Sequence, residues 1–163
     1  MSAPSRTFPA RVAATGAILG SGAMVTLFSA LASALVIRRG LGGDWAAVAL
    51  PDVVWLNTAV LAASGLAVER RRWGTAALLG AVFLAGQALA WRSFGATLAS
   101  GPAAAFFYVL TGVHGVHVLG GVAALLANWR RATPGSVAAV RIYWHTLGGL
   151  WMVVLCLLLW ARS

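Results

Sequence analysis

The sequence predicts an all-α membrane protein, folded as one bundle of five transmembrane helices. Hydrophobic residues make up 61% of the 163 positions and charged residues only 9%, whereas soluble domains average about 45–50% and about 25%. The apolar residues also fall into five long stretches, separated by short loops rich in glycine, proline and arginine, as in a polytopic membrane protein. Residues 1–163 are therefore expected to form a single transmembrane helical domain.

Each apolar stretch predicts one helix. The predicted helices span about residues 12–37, 53–68, 74–91, 103–128 and 137–161. A spanning helix needs about 20 apolar residues, with a range of about 17–25. The first, fourth and last stretches meet this length easily, and the second and third are marginal. The first stretch exceeds the apolar core of a signal peptide, which has about 7–15 residues, and so indicates a retained helix. Within it, Gly16 and Gly20 form a GxxxG pair that favours close helix packing.

The basic residues give the predicted orientation. The net charge is +9, and all twelve basic residues are arginines that lie mostly between the apolar stretches. Eight fall on the side of the amino terminus and four on the opposite side. Because arginine accumulates in cytoplasmic loops, the amino terminus is expected in the cytoplasm and the carboxyl terminus outside. Arginines that flank membrane helices do not indicate a nucleic-acid partner.

A few polar side chains are expected within the membrane-spanning helices. The candidates are Asn57, Thr58, Gln87, Thr111, His114, His117, Tyr143 and His145. Polar groups are costly in hydrocarbon, so they usually have a partner or a function. Thr111, His114 and His117 recur every third residue and share one face of their helix. A neutral imidazole offers one donor and one acceptor, which Asn57, Gln87, Thr111 or main-chain carbonyls could satisfy.

Three interpretations of the histidines remain open. In the favoured interpretation, the histidines join helices through buried hydrogen bonds. Alternatively, His114 or His117 could ligate haem iron together with His145, making the chain a small haem b cytochrome. They could also belong to a proton route, although no carboxylate lies deep in a predicted helix. The lone Cys156 has no partner for a disulfide or a CxxC motif, and no catalytic or metal-binding spacing is apparent.

Four of the five stretches resemble, in order and spacing, helices of subunit III of haem-copper terminal oxidases, the cytochrome c oxidase subunit III family. The most specific string is Thr111-Gly-Val-His-Gly-Val-His-Val118 in the fourth stretch. The second stretch carries Leu56-Asn57-Thr58, and the third carries Gln87. The last contains Tyr143-Trp144-His145 followed by Leu150-Trp151, which adds Trp144 and Trp151 to the candidate structural residues. The resemblance is to a short, five-helix form of the family.

The resemblance implies a non-catalytic structural subunit, with no catalytic, cofactor-binding or metal-binding residue of its own. It implies haem and copper in partner subunits, direct packing on catalytic subunit I, contact with other oxidase subunits, and bound phospholipid in a bacterial inner membrane. The partners would reduce oxygen to water and pump protons in aerobic respiration. A related partner of a quinol oxidase or a nitric oxide reductase is the alternative, and the electron donor stays open. Ala30 and Gly148 stand where the family usually has acids, which removes the basis for a proton-related role.

Overall fold

A computed structural model describes residues 7–46 and 49–162 of the chain. This part contains five α-helices, one short 3₁₀ helix and no strand, which confirms the all-α prediction. The helices are α1 (Thr7–Leu41), α2 (Val53–Glu69), α3 (Trp73–Ser93), α4 (Pro102–Arg131) and α5 (Pro134–Arg162), with the 3₁₀ helix at Leu98–Ser100. Within the described residues, α1, α3, α4 and α5 are long and apolar enough to cross a membrane. The apolar α2 has 17 residues, the lower end of the spanning range.

Every helix is somewhat longer than its apolar stretch. The predicted 12–37 becomes Thr7–Leu41, and the predicted 103–128 becomes Pro102–Arg131. The helices continue into their flanking arginines because a cation in the last turn interacts favourably with the helix dipole. Arg130 and Arg131 occupy such a turn in α4. Proline starts α4 and α5, as its fixed φ angle favours in a first turn.

Helices α2, α3, α4 and α5 pack in a ring, and α1 lies outside it. In that ring α2 contacts both α3 and α5, while α4 lies between α3 and α5. Helix α1 runs along α5 and also reaches α4. It buries Met24, Phe28 and Leu35, whereas Leu19 is 70% exposed. The outer helix thus contributes a few side chains to the core and turns most of its surface away from it.

Trp144 of α5 fills the place where α3, α4 and α5 come closest. Its side chain is 1% exposed. A Cβ atom added at Gly121 of α4 would lie 2.7 Å from Cζ3 of the indole, and one at Gly80 of α3 would lie 2.8 Å from Cη2. Glycine is therefore required on both neighbouring helices. By contrast, no described atom of another helix lies within 4 Å of a Cβ at Gly16 or Gly20, so the described residues do not show the close packing expected of that pair.

Side chains near the carboxyl terminus connect α1, α5 and the first loop. Arg38 pairs with Asp44 at 2.7 Å, and this hydrogen bond lowers the pKa of the Asp44 carboxyl. Trp45 Nε1 donates to the carbonyl of Ala161 at 3.0 Å, and the Arg39 guanidinium lies 4.1 Å from the centre of the Trp160 ring. The end of α1 and the end of α5 therefore lie on the same side of the bundle.

Candidate functional site

His114 lies at the centre of the bundle, where four helices meet. Its side chain belongs to α4 and is fully buried. The imidazole centroid is 6.1 Å from the ring of Phe28 on α1, 5.7 Å from Phe83 on α3 and 5.2 Å from Trp151 on α5. The two phenylalanines meet it edge to face, at 78° and 79°, an arrangement that aromatic rings prefer. His114 thus joins these helices by ring packing.

The hydrogen bonds expected of His114 are not present. Neither ring nitrogen has a hydrogen-bond partner among the described residues, and the same holds for the Gln87 amide and Trp144 Nε1. Three aromatic rings surround the imidazole and occupy the positions that a hydrogen-bonding side chain would need. An imidazolium here would also lack a counter-charge, and burying an unpaired charge is far more costly than burying a neutral ring. The imidazole is therefore neutral.

His117 lies one turn further along α4 and is partly exposed. Its Nδ1 is 2.7 Å from the carbonyl oxygen of Val113 on the same helix. Because a carbonyl only accepts, Nδ1 must carry the proton, which leaves Nε2 as an acceptor. Tyr143 of α5 donates its hydroxyl to the main-chain carbonyl of His117 at 3.0 Å. The hydrogen bond between α4 and α5 therefore uses the backbone of His117. The imidazole of His117 makes no hydrogen bond to another described helix.

Two indole–threonine hydrogen bonds connect further pairs of helices. Trp91 Nε1 of α3 donates to Thr111 Oγ1 of α4 at 2.9 Å. Trp151 Nε1 of α5 donates to Thr58 Oγ1 of α2 at 3.0 Å. Each threonine hydroxyl donates in turn to a carbonyl four residues earlier in its own helix. This leaves the threonine oxygen free to accept, so a short side chain can satisfy an indole from a neighbouring helix.

Helices α2 and α3 are joined by two buried polar contacts. Asn57 Nδ2 donates to the carbonyl of Phe83 at 3.3 Å, and Ser64 Oγ donates to the carbonyl of Ala76 at 2.8 Å. Asn57 is among the residues predicted from the sequence to have a structural role, and Ser64, another polar residue of the same apolar stretch, is not. The spacing of seven residues, or two helical turns, places both on one face of α2 and was the signal that could have found it.

His145 does not join the central histidines. Its side chain is 50% exposed, and Nε2 lies 2.6 Å from Oε1 of Glu69 at the end of α2. Arg141 binds the same carboxylate through Nη2 and Nε. The sequence placed His145 in the inner third of the last membrane helix, and in the structure its ring lies at the surface of the bundle beside the carboxylate at the end of α2. His114 and His145 thus face different spaces, and a haem ligated by both does not fit.

A groove of about 320 Å³ runs between α2 and α5 from the Glu69–His145 pair to Thr58 and Trp151. Its walls are largely apolar, and Gly65 and Gly148 keep it open. The arrangement offers a surface for an apolar chain or helix rather than an enclosed reaction site.

Comparison with known proteins identifies the family. No family model matches the chain. A cytochrome c oxidase subunit 3 of Thermostichus vulcanus is 30% identical over 158 residues, which cover 81% of this chain and 79% of that protein. A probable cytochrome c oxidase subunit 3 of Nocardia farcinica is 31% identical over 170 residues, covering 84% and 82%. The chain belongs to the cytochrome c oxidase subunit 3 family.

Membership of the cytochrome c oxidase subunit 3 family confirms the resemblance found in the sequence. The chain is thus a subunit 3 of a haem-copper oxidase and a multi-pass membrane protein of a respiratory chain. It works as part of a complex with other oxidase subunits. The individual roles of the ten candidate residues stay predictions.

Proposed function

We propose that this subunit 3 is a non-catalytic structural subunit that packs on catalytic subunit I, stabilises it and binds phospholipid. The observation that carries the proposal is the enclosure of His114 by Phe28, Phe83 and Trp151. The central histidine of the family motif serves packing, and its ring has no free face for a substrate or an iron. Oxygen reduction to water and proton pumping then belong to the partner subunits, with their haem and copper.

Two observations support the absence of a metal or haem centre in this chain. Among the described residues, no three His, Cys, Asp or Glu side chains come together to hold a metal ion. His114 and His145 also point into different spaces, since His145 is engaged with Glu69 at the bundle surface. These observations disfavour the small haem b cytochrome considered from the sequence.

The assembly itself is tested by purifying the oxidase through a tag on this chain in a mild detergent. We expect subunit I to co-purify, and the reduced-minus-oxidised optical spectrum to contain haem bands that disappear when subunit I is dissociated. A stable chain that purifies without any haem-bearing partner would contradict the proposal. So would a haem band that stays with the isolated chain.

His117 provides a point test of the partner contact. Its Nε2 is free to accept a hydrogen bond in the neutral ring, and the ring is partly exposed. We therefore expect His117→Leu to weaken the association with subunit I by about threefold to twentyfold, which corresponds to one hydrogen bond of about 0.6–1.7 kcal/mol in membranes. His117→Gln is the matched control, since glutamine keeps a hydrogen-bond acceptor at this position and should retain most of the recovery. Equal recovery with both variants would refute the contact.

We further propose a bacterial inner-membrane location with the amino terminus in the cytoplasm, as the arginine distribution favours. In a Cys156→Ser background, single cysteines at Ser100 and Thr133 mark the two sides. An impermeant maleimide added to intact cells should label S100C and leave T133C unlabelled until the cells are opened. The reverse pattern would invert the topology.

A further inference from the structure

A second groove lies between α3 and α4 at the arginine-rich end of the bundle. Its volume is about 710 Å³, and its lining includes Arg71, Arg72, Leu78, Val122, Leu126 and Trp129. The arginines lie at one end, and the apolar side chains follow the two helices into the membrane. Leu78 is 65% exposed and Leu126 is 39% exposed. A cationic mouth thus leads into an apolar channel along the helices.

Trp129 forms one wall of this groove. Its indole lies over Gly74 of α3, where a Cβ atom would come 3.3 Å from Cε2 of the ring. The side chain is nevertheless 65% exposed, so one face packs on α3 and the other is open. Trp129 directly precedes Arg130 and Arg131 in the last turn of α4. Indoles at such helix ends favour the boundary between headgroups and acyl chains.

The arginines at this mouth have no acidic partner among the described residues. The protein has three acidic residues, and two of them are engaged elsewhere, Asp44 with Arg38 and Glu69 with Arg141 and His145. Asp52 precedes α2 at the opposite end from Glu69. The charges of Arg71 and Arg72 therefore remain uncompensated, and an anion at the mouth would neutralise them.

We propose that this groove binds an anionic phospholipid, with its phosphate at Arg71 and Arg72 and an acyl chain along Leu78, Leu126 and Trp129. The inference deepens the phospholipid binding in the proposed function and rests on it, but it does not require the partner subunits. Basic pockets between membrane helices are a recurrent mode of anionic lipid recognition. The charge at the mouth selects against a zwitterionic lipid, and the apolar walls select against free phosphate.

The test is native mass spectrometry of the oxidase complex that contains this chain, titrated with dioleoyl phosphatidylglycerol or dioleoyl phosphatidylcholine. We expect tighter binding of phosphatidylglycerol, and an affinity loss of about tenfold or more when Arg71→Asn and Arg72→Gln are combined. Asparagine suits position 71 because Arg71 has a φ of 54°, a conformation that asparagine tolerates. Trp129→Ala should weaken lipid binding without removing a charge. This variant tests the groove independently if the double arginine variant does not fold.

Two controls make the result specific. Arg92→Gln removes an arginine from the opposite end of α3 and should leave phosphatidylglycerol binding within about twofold, because screened charges act only over about 10 Å. An excess of inorganic phosphate should not displace the lipid. Equal binding of the two lipids, undiminished binding in both groove variants, or displacement by phosphate would overturn the proposal. The same mass spectrum gives both the subunit composition and the number of bound lipids, so failure of the site and failure of assembly give different results.

Discussion

Replacing Trp144 with alanine is expected to lower the free energy of unfolding by about 3–5 kcal/mol, the usual cost of deleting a fully buried tryptophan. The indole contacts the backbones of α3 and α4 at Gly80 and Gly121, so its loss opens a cavity between three helices at once. In lipid, helix association depends on van der Waals contact more than on water exclusion, and those contacts are what the substitution removes. Unfolding by SDS in mixed micelles measures the change.

The conservative variant separates packing from hydrogen bonding in this prediction. Trp144 Nε1 has no hydrogen-bond partner among the described residues, so Trp144→Phe removes volume without removing a bond and should cost roughly half as much. Trp129→Ala is the control, since Trp129 is 65% exposed and its removal should cost less than about 0.5 kcal/mol. A Trp144→Ala variant as stable as this control would show that the three-helix contact does not stabilise the fold.

The helices of this chain could be predicted because the membrane leaves few alternatives. Each long apolar stretch must satisfy its own backbone hydrogen bonds in lipid, and a helix does so within one segment. All five stretches did form helices, and the errors are confined to their ends. There the helix continues into arginines such as Arg130 and Arg131, because a positive charge is favourable in the last turn. A prediction based on apolar residues alone ends the helix before these arginines.

The contacts within the site were harder to predict, because they depend on which side chains meet across helices. The spacing of His114 and His117 gave their shared face, but it could not reveal that Phe28 of the distant α1 lies 6.1 Å from one ring and 6.0 Å from the other. The contact of His145 with Glu69 was not predicted for the same reason, since the two residues are 76 positions apart in the sequence.

The glycines illustrate the limit most clearly. The GxxxG pair of Gly16 and Gly20 has the familiar spacing, yet close contacts between helices form at Gly80, Gly86 and Gly121. A spacing rule describes only one helix, whereas a close contact needs a large side chain on its neighbour. For Gly80 and Gly121 that side chain is Trp144, and for Gly86 it is Asn57.

The contact between Gly86 and Asn57 leads to the second large effect, a destabilisation of about 2–6 kcal/mol by Gly86→Ala. A Cβ at Gly86 would collide with the Asn57 carboxamide and lie 2.8 Å from its Cγ. The amide, which is 2% exposed, would have to move away from the carbonyl of Phe83 that it now donates to. The cost combines overpacking, about 1–3 kcal/mol, with a buried polar group left unpaired, about 1–3 kcal/mol.

A double-mutant cycle tests this assignment, because the collision exists only while both side chains are present. Asn57→Ala alone should cost about 0.6–1.7 kcal/mol, the range of one interhelical hydrogen bond in a membrane protein. In the Asn57→Ala background, Gly86→Ala should lose at least half of its effect, since the new methyl group then meets no amide. Gly16→Ala is the matched control: no described atom of another helix lies within 4 Å of its Cβ, and alanine favours the helix by up to about 1 kcal/mol. Additive effects of the two substitutions would mean that Gly86 is required for some contact other than Asn57.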